Sequence, residues 1–129
     1  MAGRILFIGA GAMGGAILRG AVANRLVEPQ AVYVLVKTEA SAAAWREELN
    51  VNAGTELPDI KEISTVVWAV KPQVLPEVLP KLKNLSAGTI CLSVAAGITL
   101  ARLEKAIPQA IWYRAMPNMD DFQVCFHRV

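Results

Sequence analysis

The segment RILFIGAGAMGG, residues 4–15, leaves the chain few ways to begin its fold. Its first half is an apolar run that reads as a buried strand. Gly9, Gly11 and Gly14 follow at the spacing G-x-G-x-x-G. The residues beyond, to about Asn24, read as a helix, so a strand must turn sharply into a helix. Gly9 permits that turn, Gly11 lets a pyrophosphate approach the backbone with no Cβ in the way, and Gly14 lets the helix lie close on the strand. The helix start adds unpaired N–H groups and the positive end of its dipole. Gly9, Ala10, Gly11, Ala12, Met13 and Gly14 are therefore the first candidate binding residues. Small residues that only allow close helix packing are the alternative.

Downstream, short apolar runs alternate with helical stretches. AVYVLV reads as a second strand and VN, at residues 51–52, as the start of a third. STVVWAV, TICLSVA and AIWYRAM read as the fourth, fifth and sixth. Between the second and third lies TEASAAAWREEL, a helix with Thr38 as its N-cap and Ala40, Ala44, Trp45 and Leu49 as its apolar side. PEVLPKLKN is a weaker helix: Pro76 suits a first turn, but Pro80 removes an internal hydrogen bond. TLARLEKAI is a helix capped by Thr99, with Leu100, Leu103 and Ile107 on one face. Apolar strands alternating with helices specify an α/β fold of the Rossmann-like, doubly wound kind, a mainly parallel sheet with helices on both faces.

Composition closes off other classes. The chain has 129 residues, enough for one core, and 54% of them are apolar, which excludes a disordered chain. The formal charge is +2 with Lys and Arg scattered, so nucleic acid is not an expected partner. The two cysteines and the single histidine, His127, show no metal-ligand spacing, and no metal is expected. The apolar stretch ILFIGAGAMGGAIL resembles a signal peptide, but the glycine spacing explains it better. It is also shorter than the roughly 20 residues a membrane helix needs. A cytoplasmic protein that does not enter a membrane is expected.

About twenty residues past the glycine loop, sites that prefer NAD place an acid on the ribose 2′-OH. Here that position falls at Val36, followed by Lys37 and Thr38. A cation and a hydroxyl suit a 2′-phosphate, so NADPH is expected over NADH, with NADH still possible. Glu39 opposes this, since its charge would repel the same phosphate. The alternative is that Lys37 is a solvated loop residue and Thr38 only a cap. The fourth strand ends in WAVKPQ, placing Ala69, Val70, Lys71 and Pro72 at the edge where ligands sit in such sheets. Trp68, just before them, is an expected fluorescence reporter of binding. The fifth ends in SVAAGI, where Ala95, Ala96 and Gly97 leave room for a flat ring, and the sixth in RAMPN.

FIGAGAMGGAI, VVWAVKPQ, LSVAAGI and RAMPN, in this order and spacing, resemble the pyrroline-5-carboxylate reductase family over residues 4–118. The resemblance implies hydride transfer from NAD(P)H to the C=N carbon of 1-pyrroline-5-carboxylate, giving proline. It implies Gly9 to Gly14 at the pyrophosphate and Lys37 and Thr38 near the adenosine ribose. Ala69 to Pro72 and Ala95 to Gly97 would run towards the nicotinamide, with Asn118 near the same end. No acid–base dyad stands out, and no catalytic residue is assigned.

The chain departs from the family pattern in four places. Val36-Lys37 replaces a frequent Asn-Arg, Ala12 replaces a frequent Asn, and Pro80 is unusual. Met119-Asp120 follows Asn118 where the family continues with Thr-Pro and a helical domain that forms the dimer and most of the substrate pocket. The expected organisation is a cofactor domain, 1–118, and an unrelated tail, 119–129, in which no period is visible. On this reading the chain is the truncated cofactor half of a reductase, inactive alone; a genuine short protein with a functional tail is the alternative for residues 119–129. The other readings are a non-catalytic dinucleotide-binding or interaction module, which senses or sequesters cofactor or pairs with a full-length homologue, and a related imine or β-hydroxyacid reductase.

Overall fold

The computed structural model describes residues 3–10, 12–71, 73–94, 100–118 and 123–128. Strands β1 (Arg4–Ile8), β2 (Val32–Leu35), β3 (Asn52–Gly54), β4 (Ile63–Trp68), β5 (Ile90–Ser93) and β6 (Ile111–Asn118) lie in the order β3-β2-β1-β4-β5-β6. All five pairings among them are parallel. The order reverses between β1 and β4, the signature of a doubly wound, Rossmann-like sheet.

The helices divide between the two faces as the alternation of apolar residues requires. α1 (Ala12–Ala23) and α2 (Glu39–Leu49) cover one face, where Leu18, Ala42 and Trp45 meet Ile5, Phe7, Val32, Val34 and Val67. On the other face, α3 (Leu75–Val78), the 3₁₀ turn Leu79–Leu82 and α4 (Leu100–Ala106) pack Leu75, Leu82, Leu103 and Ile107 against Leu6, Ile8, Val66, Trp68 and Trp112. The break from α3 into a 3₁₀ turn falls at Pro80, whose missing N–H ends the α-ladder as expected. Thr38 caps α2, its Oγ1 accepting the Ser41 N–H at 3.1 Å. Leu103 and Ile107 are buried as expected, while Thr99 lies outside the described residues.

One expectation is corrected. The buried side of α2 is Ala42 and Trp45 with Leu49 beside them; Ala40 and Ala44 face solvent. The stripe 42-45-49 follows helical spacing as well as the expected one, and an alanine-rich segment offers no contrast to choose between them. In the stretch where no period was visible, residues 123–128 form β7, which pairs antiparallel with β6 from Tyr113↔Arg128 to Asn118↔Gln123.

Candidate functional site

The strands finish level with one another. Register places Gly54, Leu35, Ile8, Trp68 and Ser93 in one row across the sheet. Backbone bonds carry the sheet one residue further into the loops. Gly9 N–H donates to Leu35 O at 2.8 Å, Val36 N–H to Gly54 O at 3.0 Å, and Ala69 N–H to Ile8 O at 2.9 Å. The loop after β1 is thus laced to β2, and the loop after β4 to β1.

Two glycines fit this crossing because they lack a side chain. Gly9 has φ +76°, and a Cβ there would stand 3.0 Å from both Ala69 O and Val70 Cγ1. A Cβ on Gly14 would stand 2.5 Å from the Ala69 Cβ. The roles expected of the first and third glycines, a sharp turn and close helix packing, are what the backbone shows.

Above this crossing opens a cleft of about 740 Å³. Its floor is Ile8, Gly9, Ala10 and Ala69, and Val70 and Lys71 continue it past β4. One wall is Val36, Lys37, Ser41 and Trp45, another is the loop Thr55–Leu57 after β3, and the far end is Val74, Glu77, Val78 and Lys81. Of the residues expected at a site, Gly9, Ala10, Lys37, Ala69, Val70 and Lys71 line it together. Gly14 packs beneath it. Ala12 and Met13 form the first turn of α1. Thr38 is not among the lining residues; its oxygen accepts the capping bond, and its hydroxyl keeps a proton to donate. Gly11, Pro72, Ala95, Ala96 and Gly97 lie outside the described residues. Asn118 ends β6, four residues beyond Arg114, which pairs with Ser93 in the row of strand ends; that is about 13 Å of extended chain.

The β3 loop and the α2 wall carry no motif, and only topology brings them to the cleft. Tyr33 Oη donates to Glu56 O at 2.6 Å and ties the loop down. Burial raises the pKa of that hydroxyl. Its ring also closes on Gly54, where a Cβ would collide with Oη. The Trp45 indole lies under the Arg19 guanidinium, 4.8 Å from its centroid, and Arg19 reaches Glu48 through Nε at 2.6 Å and through Nη2 at 3.2 Å. These bonds raise the Arg19 pKa and lower that of Glu48, so both stay charged and α1 is clamped to α2. Trp68, the expected reporter, is wholly buried on the opposite face, 5.8 Å from Trp112 between ring centroids. Trp45 is the tryptophan in the cleft.

Among the described residues, three lysines and two glutamates line the cleft, and no group of His, Cys, Asp or Glu able to hold a metal occurs. Nor, among them, is any helix long and apolar enough to cross a membrane.

The model of the family described as "NADP oxidoreductase coenzyme F420-dependent" matches residues 4–97. The chain belongs to that family. Its homology runs to the pyrroline-5-carboxylate reductases, over their N-terminal NAD(P)-binding region. It is 34% identical over 118 residues to the pyrroline-5-carboxylate reductase of Escherichia coli strain K12, covering 89% of this chain and 44% of that protein. To the enzyme of the same name from Arabidopsis thaliana it is 37% identical over 117 residues, covering 89% and 42%. The solved pyrroline-5-carboxylate reductase of Coxiella burnetii superposes with a TM-score of 0.82 at 28% identity, covering 92% of this chain and 45% of that one. This member of the family thus spans less than half the length of the relatives it matches.

Proposed function

We propose that the cleft binds NADPH and that the chain serves hydride transfer to the C=N carbon of 1-pyrroline-5-carboxylate, giving proline. The observation that carries this is the bare backbone at the β1–β4 crossing. A Cβ on Gly14 would collide with Ala69, one on Gly9 would crowd Ala69 O from a left-handed backbone, and Gly9 and Ala10 line a cleft with Lys37 on its wall and Lys71 on its floor. Its size falls in the range of about 300–1,000 Å³ usual for small-molecule sites.

In this reading residues 9–14, including Ala10, Gly11, Ala12 and Met13, hold the pyrophosphate by backbone N–H groups and the helix dipole. Lys37 and Thr38 meet the 2′-phosphate. Ala69, Val70, Lys71 and Pro72 extend the floor along the cofactor, Ala95, Ala96 and Gly97 give the nicotinamide ring a flat seat, and Asn118 borders that end. The bound cofactor supplies the hydride. The chain's own part is to orient the ring and keep one face open to the substrate. Because the relatives are more than twice as long, the remaining substrate contacts come from a region matching their further length.

Calorimetric titration with NADPH and then NADH tests the cofactor reading. Saturable binding, tighter for NADPH, is expected; a folded sample that binds neither overturns it. Proline formation from pyrroline-5-carboxylate and NADPH, by the chain with a full-length homologue and by the chain alone, then separates a reductase from a binding module.

A further inference from the structure

Glu39 is the acid nearest in sequence to Lys37 and Thr38, and a carboxylate turned towards a 2′-phosphate would repel it. The structure turns it elsewhere. Glu39 opens α2 and Arg46 stands two turns later on the same face, about 10.5 Å along the axis. Arg46 Nη1 holds Glu39 Oε1 at 2.8 Å. Arg46 Nε donates at 3.1 Å to Ala53 O in β3. The guanidinium therefore has a backbone anchor independent of Glu39, and its rigid fork points a second donor along the helix at the acid. Lys37 and Ser41, two residues to either side of Glu39, line the cleft, and Glu39 does not.

We propose that Arg46 sets the coenzyme preference without touching the coenzyme, by anchoring on Ala53 O and holding the Glu39 carboxylate off the 2′-phosphate position beside Lys37. This rests on the NADPH reading. Arg46 is a positioning residue. Without it, Glu39 swings on a free side chain within reach of that phosphate, and NADPH is penalised while NADH, with a 2′-hydroxyl, is not.

The test measures Kd for NADPH and NADH by calorimetry in the parent chain, Arg46→Met, Glu39→Gln and the double variant. Arg46→Met is expected to weaken NADPH roughly threefold to tenfold, with little change for NADH and a smaller loss at high salt. Glu39→Gln in the Arg46→Met background is expected to restore NADPH binding. A merely structural role for Arg46 at β3 would weaken both coenzymes and would not be rescued. An unchanged NADPH-to-NADH ratio in Arg46→Met, or an unrescued double variant, overturns the proposal. If Arg46→Met does not fold, Arg46→Lys replaces it: one ammonium cannot hold both acceptors along the same lines, so a partial, Glu39→Gln-rescued loss is expected, and none overturns the proposal. A parent chain that binds neither coenzyme, or prefers NADH, removes the NADPH reading and this proposal with it. A parent preference for NADPH that Arg46→Met leaves intact removes the proposal alone.

Discussion

The Cβ of Ala69 occupies the space that any side chain at Gly14 would need: a methyl there would sit 2.5 Å from it. Gly14 is in the first turn of α1 and Ala69 directly follows β4, so two small residues set how near the helix comes to the turn it shares with the cleft. Gly9 O lies 3.6 Å from the same point.

Gly14→Ala should therefore push α1 away from the crossing. Overpacking of this kind costs about 1–3 kcal/mol. The urea midpoint is expected to fall accordingly and NADPH affinity with it. Ala69→Gly in the same chain removes the colliding methyl and should recover most of both. A Gly14→Ala chain that unfolds at the parent's midpoint would show that the contact is not limiting.

Among the described residues, Lys37 is the one cation lining the α2 wall of the cleft, and it is exposed. Lys37→Glu is expected to reverse the preference from NADPH to NADH, the new carboxylate repelling the 2′-phosphate and accepting from a 2′-hydroxyl. The loss of NADPH affinity should exceed tenfold at low salt and shrink as salt rises. Unchanged NADPH preference would remove Lys37 from this role.

Trp45 reports on the cleft and Trp68 does not. NADP⁺ titrated into the chain should change tryptophan emission, and Trp45→Phe should abolish most of that change while binding persists by calorimetry. An undiminished emission change in Trp45→Phe would move the reporter elsewhere.

Burial pushes the Cys91 thiol from 9.0 to about 11, with the Trp68 indole pulling weakly the other way. The unfolded chain loses this proton first. The stability held by the neutral buried thiol is thus complete below about 9 and is lost progressively between 9 and about 11. A two-unit shift corresponds to roughly 2–3 kcal/mol at the upper end of that window. Denaturation midpoints should fall more steeply over it in the parent than in Cys91→Ala, which is less stable at neutral pH but lacks this ionisation. Parallel pH profiles for the two would exclude Cys91 as the source.

Strands β1, β2, β4, β5 and β6 are legible in the sequence because each begins as an apolar run, and the glycine loop fixes which strand comes first; β3, Asn-Ala-Gly, shows only its start. Local chemistry is legible too: the Thr38 cap and the break at Pro80 depend on a few neighbouring atoms. The β3 loop at Thr55–Leu57 is not, because its place in the cleft is conferred by Tyr33, more than twenty residues earlier, through one hydrogen bond to Glu56 O. Glu39 shows the same limit. Its charge is plain in the sequence, but its direction depends on Arg46, and the direction of Arg46 on a carbonyl in β3. β7 is hidden for another reason: it forms by pairing with the already extended β6 and needs no alternating pattern of its own.

The bond between Arg46 and Ala53 has a second consequence, for how the molecule stays apart from its neighbours. β3 is an outer margin of the sheet and only three residues long. Gly54 O turns inward to Val36 N–H, so by alternation the carbonyl of β3 that turns outward is Ala53 O, and Arg46 already occupies it. A strand from another molecule approaching this margin meets a fixed cation in place of a free acceptor, which guards the sheet against end-to-end polymerisation.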